Sequence, residues 1–183
     1  MSRRLRGLAR RFGCDERGVS AVEFAFIAPL LILFYFGMAE TCQLLMAKRR
    51  ISHAGAAVAD LVSQGKGPAL KADLDDKLLA AQSIVYPFPT TSLRIQLTSV
   101  RARNPTAGGD PMVDWSYPAG GRAKDSTFAV GTPLNPGESV IVAEVTYSYN
   151  SSIGYFIPAA KALTYKAEYR PRREDYITCT DCP

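Results

Sequence analysis

The sequence predicts an α+β protein: one very long N-terminal helix, a short second helix, and a small antiparallel sheet of about four strands. Three observations carry this expectation. Phe24 to Ala39 is apolar and uncharged. Apolar positions then continue at spacings of three and four as far as Val62, the period of one helical face. Beyond Leu93 the period falls to two in four separate segments, which is the period of half-buried strands.

Residues 1–18 form a basic leader. Six arginines (Arg3, Arg4, Arg6, Arg10, Arg11, Arg17) stand there against Asp15 and Glu16, a net +4 of the chain's total +5. The rest of the 183 residues is almost neutral, so it offers no basic face for nucleic acid. An arginine-rich flank beside an apolar segment is the usual mark of a cytosolic membrane border. The apolar run continues past Glu40, Thr41 and Gln43 to Ala47. From Phe24 to Ala47 it would measure about 36 Å as a helix, enough for a bilayer core of about 30 Å. Pro29 and Gly37 lie inside it, and membrane helices tolerate both. Residues 19–47 are therefore expected to be a transmembrane helix, with Lys48-Arg49-Arg50 at the lipid headgroups. The arginine count places the N-terminus inside and the body outside the cytoplasm.

The helix does not stop at the membrane. Ile51, Ala54, Val58, Leu61 and Val62 share a stripe, and Gly65-Lys66-Gly67-Pro68 supplies the stop. Residues 48–64 are thus an extracytoplasmic continuation whose stripe needs a partner. Residues 65–178 read as an α+β domain. Leu70 to Val85 is a helix with Leu70, Leu74, Leu78, Ala81 and Val85 on one face, ended by Tyr86-Pro87-Phe88-Pro89. Leu93, Ile95 and Leu97 begin the first strand. Asn104 to Pro111 is turn chemistry. Val113, Trp115 and Tyr117 alternate on a strand that makes a hairpin with the first. After a Gly/Pro-rich loop from Pro118 to Pro136, Ile141, Ala143, Val145, Tyr147 and Tyr149 give the strongest strand signal. A connection over Ser151 to Ala160 leads to Leu163, Tyr165, Ala167 and Tyr169 on the last strand. One sheet face is expected to be apolar and the other polar, with the two helical stripes covering the apolar one. The tyrosines are expected to pack within the sheet.

Residues 179–183 form a tail with a Cys179-Thr180-Asp181-Cys182 motif. One such pair is half of a zinc site, and neither a second pair nor a suitably placed histidine completes it. A local disulfide, a free structural pair and a redox or metal role all stay open. Cys42 is a packing candidate, and His53 is the lone histidine, without partners for catalysis. Glu40, near the far end of the span, is assigned no role. Glu23 is different: a carboxylate at the edge of hydrocarbon is costly and is a functional candidate by default. It could equally rest among headgroups.

The segment Gly18-Val19-Ser20-Ala21-Val22-Glu23-Phe24, after a basic leader and before Ala25-Phe26-Ile27-Ala28-Pro29, resembles the TadE/TadG-like pseudopilins of the Flp/Tad branch of type IV pilus systems. The specific part covers about residues 15–50; the rest matches only in general layout, a pilin-like one. The resemblance implies that a prepilin peptidase cuts between Gly18 and Val19, taking Cys14 away with the leader. It implies that Glu23, with Phe24 beside it, then neutralises the new α-amino group of a neighbouring subunit in an assembly. The implied protein is a minor pseudopilin in the bacterial inner membrane. Its partners would be the peptidase, other pilin or pseudopilin subunits and Tad assembly components. It would not be an enzyme and would need no cofactor, metal, small-molecule substrate or nucleic acid. Two other readings stand beside it: an uncleaved bitopic assembly factor, and a periplasmic thiol oxidoreductase using Cys179 and Cys182.

Overall fold

The computed structural model describes residues 18–102, 111–157 and 160–182. The expected leader with Cys14, the turn at 104–110, Pro158, Ala159 and Pro183 lie outside the described residues. Helix α1 runs Val19–Ser63, an unbroken 45 residues that carries Pro29 within it. At its end, the Gln64 N–H donates to the Asp60 carbonyl at 3.0 Å and the Gly65 N–H to Val62 at 3.1 Å. Gly67, at φ +80°, then turns the chain in a conformation that favours glycine. Helix α2 is Lys71–Val85. Its first turn is capped from far along the chain: the Lys71 N–H donates to the Asp181 carboxylate at 3.1 and 3.3 Å.

Four strands follow: β1 (Arg94–Ala102), β2 (Pro111–Tyr117), β3 (Ser139–Tyr149) and β4 (Lys161–Tyr169). They form one antiparallel sheet in the order β2-β1-β3-β4. The expected helix, helix, sheet order is the observed one. The larger core lies between the sheet and both helices. Ile51, Ala54, Val58, Ala59 and Val62 of α1 and Leu74, Ala81 and Val85 of α2 meet Leu97, Ile141, Ala143, Val145, Tyr147 and Leu163 there. Small residues on the α1 stripe let the helix come close. At Gly55 a Cβ would lie 2.6 Å from Val145 Cγ2. Tyr147 and Tyr149 are buried, and Tyr149 meets Phe88 edge-on at 6.2 Å.

Two expectations are corrected. The opposite sheet face is not uniformly polar. Val100, Val113, Val140 and Val142 make a second small core there, capped by Phe128 from the long loop after β2. Nor do Val113 and Trp115 share a face. Ser99 opposes Trp115 and Val100 opposes Val113, so Asp114 is an extra residue, a β-bulge. One inserted residue reverses the alternation. Trp115 therefore enters the helix-side core, while Val113 enters the other. Strict period-two reading cannot anticipate a bulge.

The loop over the second face is held by carboxylates. Glu168 accepts hydrogen bonds from the Gly131 N–H (3.0 and 3.1 Å), the Thr132 N–H (3.0 Å) and the Thr132 hydroxyl (3.0 Å), and pairs with Lys166 at 2.7 Å. Burial pushes its carboxyl up, but Lys166 and these donors together outweigh it and hold the group below the ordinary glutamate range. Glu138 is lowered too, chiefly by hydrogen bonds from the Asn135 side chain and backbone. A depressed folded-state pKa contributes stability that is complete above the ordinary glutamate range and drains away as pH falls through the folded value. Unfolding of the detergent-solubilised chain, followed by Trp115 emission, should therefore show stability falling on acidification. Glu168→Gln should flatten that dependence and lower stability near neutral pH. An unchanged acid limb would refute this account of the loop.

The C-terminal segment packs into the domain rather than hanging from it as a tail. Ile177 is buried, and its carbonyl accepts the Trp115 indole N–H at 2.7 Å. Cys179 makes a parallel bridge with Ala69, whose N–H donates to the Thr178 carbonyl at 2.7 Å.

Candidate functional site

The functional candidates lie on α1, which has two distinct halves. Almost every residue from Val19 to Phe36 is exposed, and the large apolar side chains stand out all around the helix: Phe24 69%, Phe26 78%, Leu30 67%, Phe34 68%. Burial begins with Gly37, which is partly covered, and proceeds through Glu40, Ala47, Ile51 and Ala54 down the docking stripe. The free half therefore has no partner within the described chain. By length and composition this helix can cross a membrane.

Gly18, Val19, Glu23 and Phe24 fall together in the first two turns of this free half, and all four are exposed. Gly18 is the N-cap residue, at φ −83° and ψ −18°. That conformation suits any residue, and a Cβ there would meet nothing within 4 Å. The fold itself does not ask for glycine at this position. Glu23 makes no hydrogen bond or ion pair with another described residue. Cys179 and Cys182 lie apart from this group, beyond the other end of the roughly 66 Å helix. Cys179 and Cys182 are joined as a disulfide with Cα atoms 5.4 Å apart. Asp181, inside that small ring, is the residue that caps α2. Cys42 is exposed and free, and His53 is exposed.

The residue that sequence reasoning missed is Glu40. Its neighbours Met38 and Thr41 are exposed, whereas Glu40 is fully buried. It grips the segment between β3 and β4. One carboxylate oxygen, Oε1, accepts from the Ser151 hydroxyl (3.0 Å) and the Tyr155 N–H (2.9 Å). The other, Oε2, accepts from the Phe156 N–H (2.9 Å) and the Ile157 N–H (3.0 Å). Three successive backbone donors converging on one anion form a nest, the strong, charge-assisted kind of hydrogen bonding. The Phe156 ring lies 3.5 Å from where a Gly37 Cβ would sit, so the missing side chain makes room for it. One signal in the sequence could have found this. Glu40 stands seven residues before Ala47, two turns up the docking stripe, and a carboxylate in an apolar helix asks for a partner.

One exposed apolar helix, long enough to cross a membrane, leads into an α+β domain that covers the helix's second half. Residues 18–60 match the family model described as TadE-like protein. The match covers α1 nearly to its end and stops short of the sheet. The likeness is confined to this N-terminal region. No curated protein and no solved structure matches the chain.

Proposed function

We propose that this chain is a minor pseudopilin of a Tad-type pilus. It sits in the bacterial inner membrane with its leader in the cytoplasm and its α+β domain outside. A prepilin peptidase cuts between Gly18 and Val19, and Glu23 then receives the α-amino group of a neighbouring subunit. The chain acts as the peptidase's substrate and as a structural partner of other pilin or pseudopilin subunits, not as an enzyme.

The observation that carries this reading is the placement of Gly18 and Glu23 on the free half of a TadE-like helix. Glycine is dispensable to the fold at position 18, so a need for it would come from an outside reader of the chain. A missing side chain lets a catalytic site approach the backbone closely. Glu23 likewise lacks a partner in its own described chain and is left for one outside it. Two charges taken out of water are tolerable as a pair and costly singly.

The N-terminus of the mature protein, read by mass spectrometry in cells that hold the peptidase, tests the proposal. Val19 is expected. An intact Met1 or Ser2 would leave the uncleaved assembly factor as the better reading. Gly18→Leu should insert and fold normally while abolishing cleavage. Glu23→Gln should be cleaved, yet its incorporation into the assembly should drop more than about tenfold, because a buried charge without its partner costs about 3–5 kcal/mol. Wild-type incorporation of that variant would sink the pairing role.

A further inference from the structure

We infer that the segment from Asn150 to Ile157 is a lipid-contacting anchor, which seats the domain in the interface of the bilayer that α1 crosses. This rests on the reading of α1 as a membrane span.

Three large apolar side chains stand out from this short connection: Tyr155 is 75% exposed, Phe156 45% and Ile153 42%. The connection lies where the free half of α1 ends, with Phe156 on Gly37 and the backbone on Glu40. One turn before Gly37, on the same helix face, stand the exposed Leu33 and Phe34, so the apolar surface of the connection continues theirs. Continuity with the span selects lipid as the occupant.

Charge supports the same assignment. From Asn150 to Ala160 the sequence contains no charged residue, although 21% of the whole chain is charged. The flanking strands, by contrast, carry Glu144, Lys161, Lys166 and Glu168. An aqueous loop of this length would ordinarily carry some charge. Aromatic side chains with a polar tip, such as Tyr155, favour the boundary between headgroups and acyl chains.

Backbone satisfaction is the third line of argument. Backbone polar groups that enter lipid need partners inside the protein. The N–H groups of Ile153 and Gly154 donate to the Ser151 hydroxyl oxygen at 3.4 and 3.2 Å. Those of Tyr155, Phe156 and Ile157 donate to Glu40. Five consecutive donors thus have acceptors without recourse to water. The buried carboxylate makes an otherwise polar loop compatible with the interface. Depth is consistent as well: Val19 to Gly37 rises about 27 Å, close to the thickness of a hydrocarbon core of about 30 Å. The outer boundary then falls at Gly37–Glu40, and Lys48 to Arg50 lie further out than composition alone placed them.

The test uses the full chain reconstituted in phosphatidylcholine vesicles whose acyl chains carry bromine near the glycerol end. Tyr155→Trp adds an emitter to the exposed tip, and the buried Trp115 gives a constant background that also reports folding. Phe34→Trp, on the free half of α1, is the control for the span. The emission added by Tyr155→Trp is expected to be quenched by the bromolipid and shielded from aqueous iodide. Quenching by iodide alone, while Phe34→Trp is quenched by bromolipid, would overturn the anchor and leave the span standing. Failure of both variants to sense bromolipid would overturn the span and the anchor together. Shielding of Tyr155→Trp from both quenchers would overturn the lipid assignment in favour of a protein occupant, such as a second copy.

Discussion

Glu40→Gln is expected to release the connection between β3 and β4 from α1. The amide presents one oxygen in place of two and turns N–H donors toward the Tyr155, Phe156 and Ile157 N–H groups that now share the carboxylate. At least one buried donor would be left unsatisfied, and the Ser151 hydroxyl would have to compete for the remaining acceptor. Hydrogen exchange of these three amides should accelerate by on the order of a hundredfold, the factor that loss of a charge-assisted partner implies. Exchange in the β1–β3 ladder should change little, because its pairing does not pass through Glu40. Glu40→Ala should release the segment further, while Glu40→Asp, one methylene shorter, should fall between. Unchanged protection of the three amides in Glu40→Gln would show that the nest does not hold the segment.

The second large effect is expected at Gly55, where α1 crosses the central strand β3. A Cβ there would stand 2.6 Å from Val145 Cγ2 and 3.2 Å from Tyr165 Cδ1. Val145 is fully buried and β-branched, so it cannot swing aside. Two effects oppose each other in Gly55→Ala. The helix gains about 1 kcal/mol of propensity, while overpacking costs about 1–3 kcal/mol. The contact is too short and its partner too stiff for propensity to win, so net destabilisation is expected. Gly55→Leu should lift the second half of α1 off the sheet and expose the core, with a loss of several kcal/mol, about the upper end of core substitutions. Denaturant unfolding of the detergent-solubilised chain, read by Trp115 emission, measures both variants. A Gly55→Ala protein more stable than wild type would contradict the close approach of helix and sheet.

These two residues also mark how far the sequence could be read. The long helix was legible because its signals are local: an uncharged apolar run, a stripe at three and four, and glycine with proline after it. The strands were legible for the same reason, through alternation. The Gly18 and Glu23 pair stood out from its offset and its place at the edge of the apolar run. Glu40 and Gly55 carry no comparable local mark. Glu40 meets a segment more than a hundred residues later, and a glutamate that grips a distant backbone looks the same in sequence as one that reaches for solvent. Gly55 sits in a run of small residues, and only the facing Val145 decides that this one must lack a side chain.

The bulge at Asp114 shows the same divide inside a strand. Its alternation was readable, but the face each residue takes depends on the partner strand, and one inserted residue reverses it. Likewise the C-terminal cysteines were visible as a motif, while their seat beside Ala69 and the capping of α2 by Asp181 arise only when the chain returns. By itself the sequence determined the element types, the apolar span, the asymmetry of charge and the TadE-like signature, all consequences of neighbours within a few residues. The tertiary structure alone decided where the helix stops being free, which carboxylate is held, and which faces meet, because these depend on contacts between residues far apart in the chain.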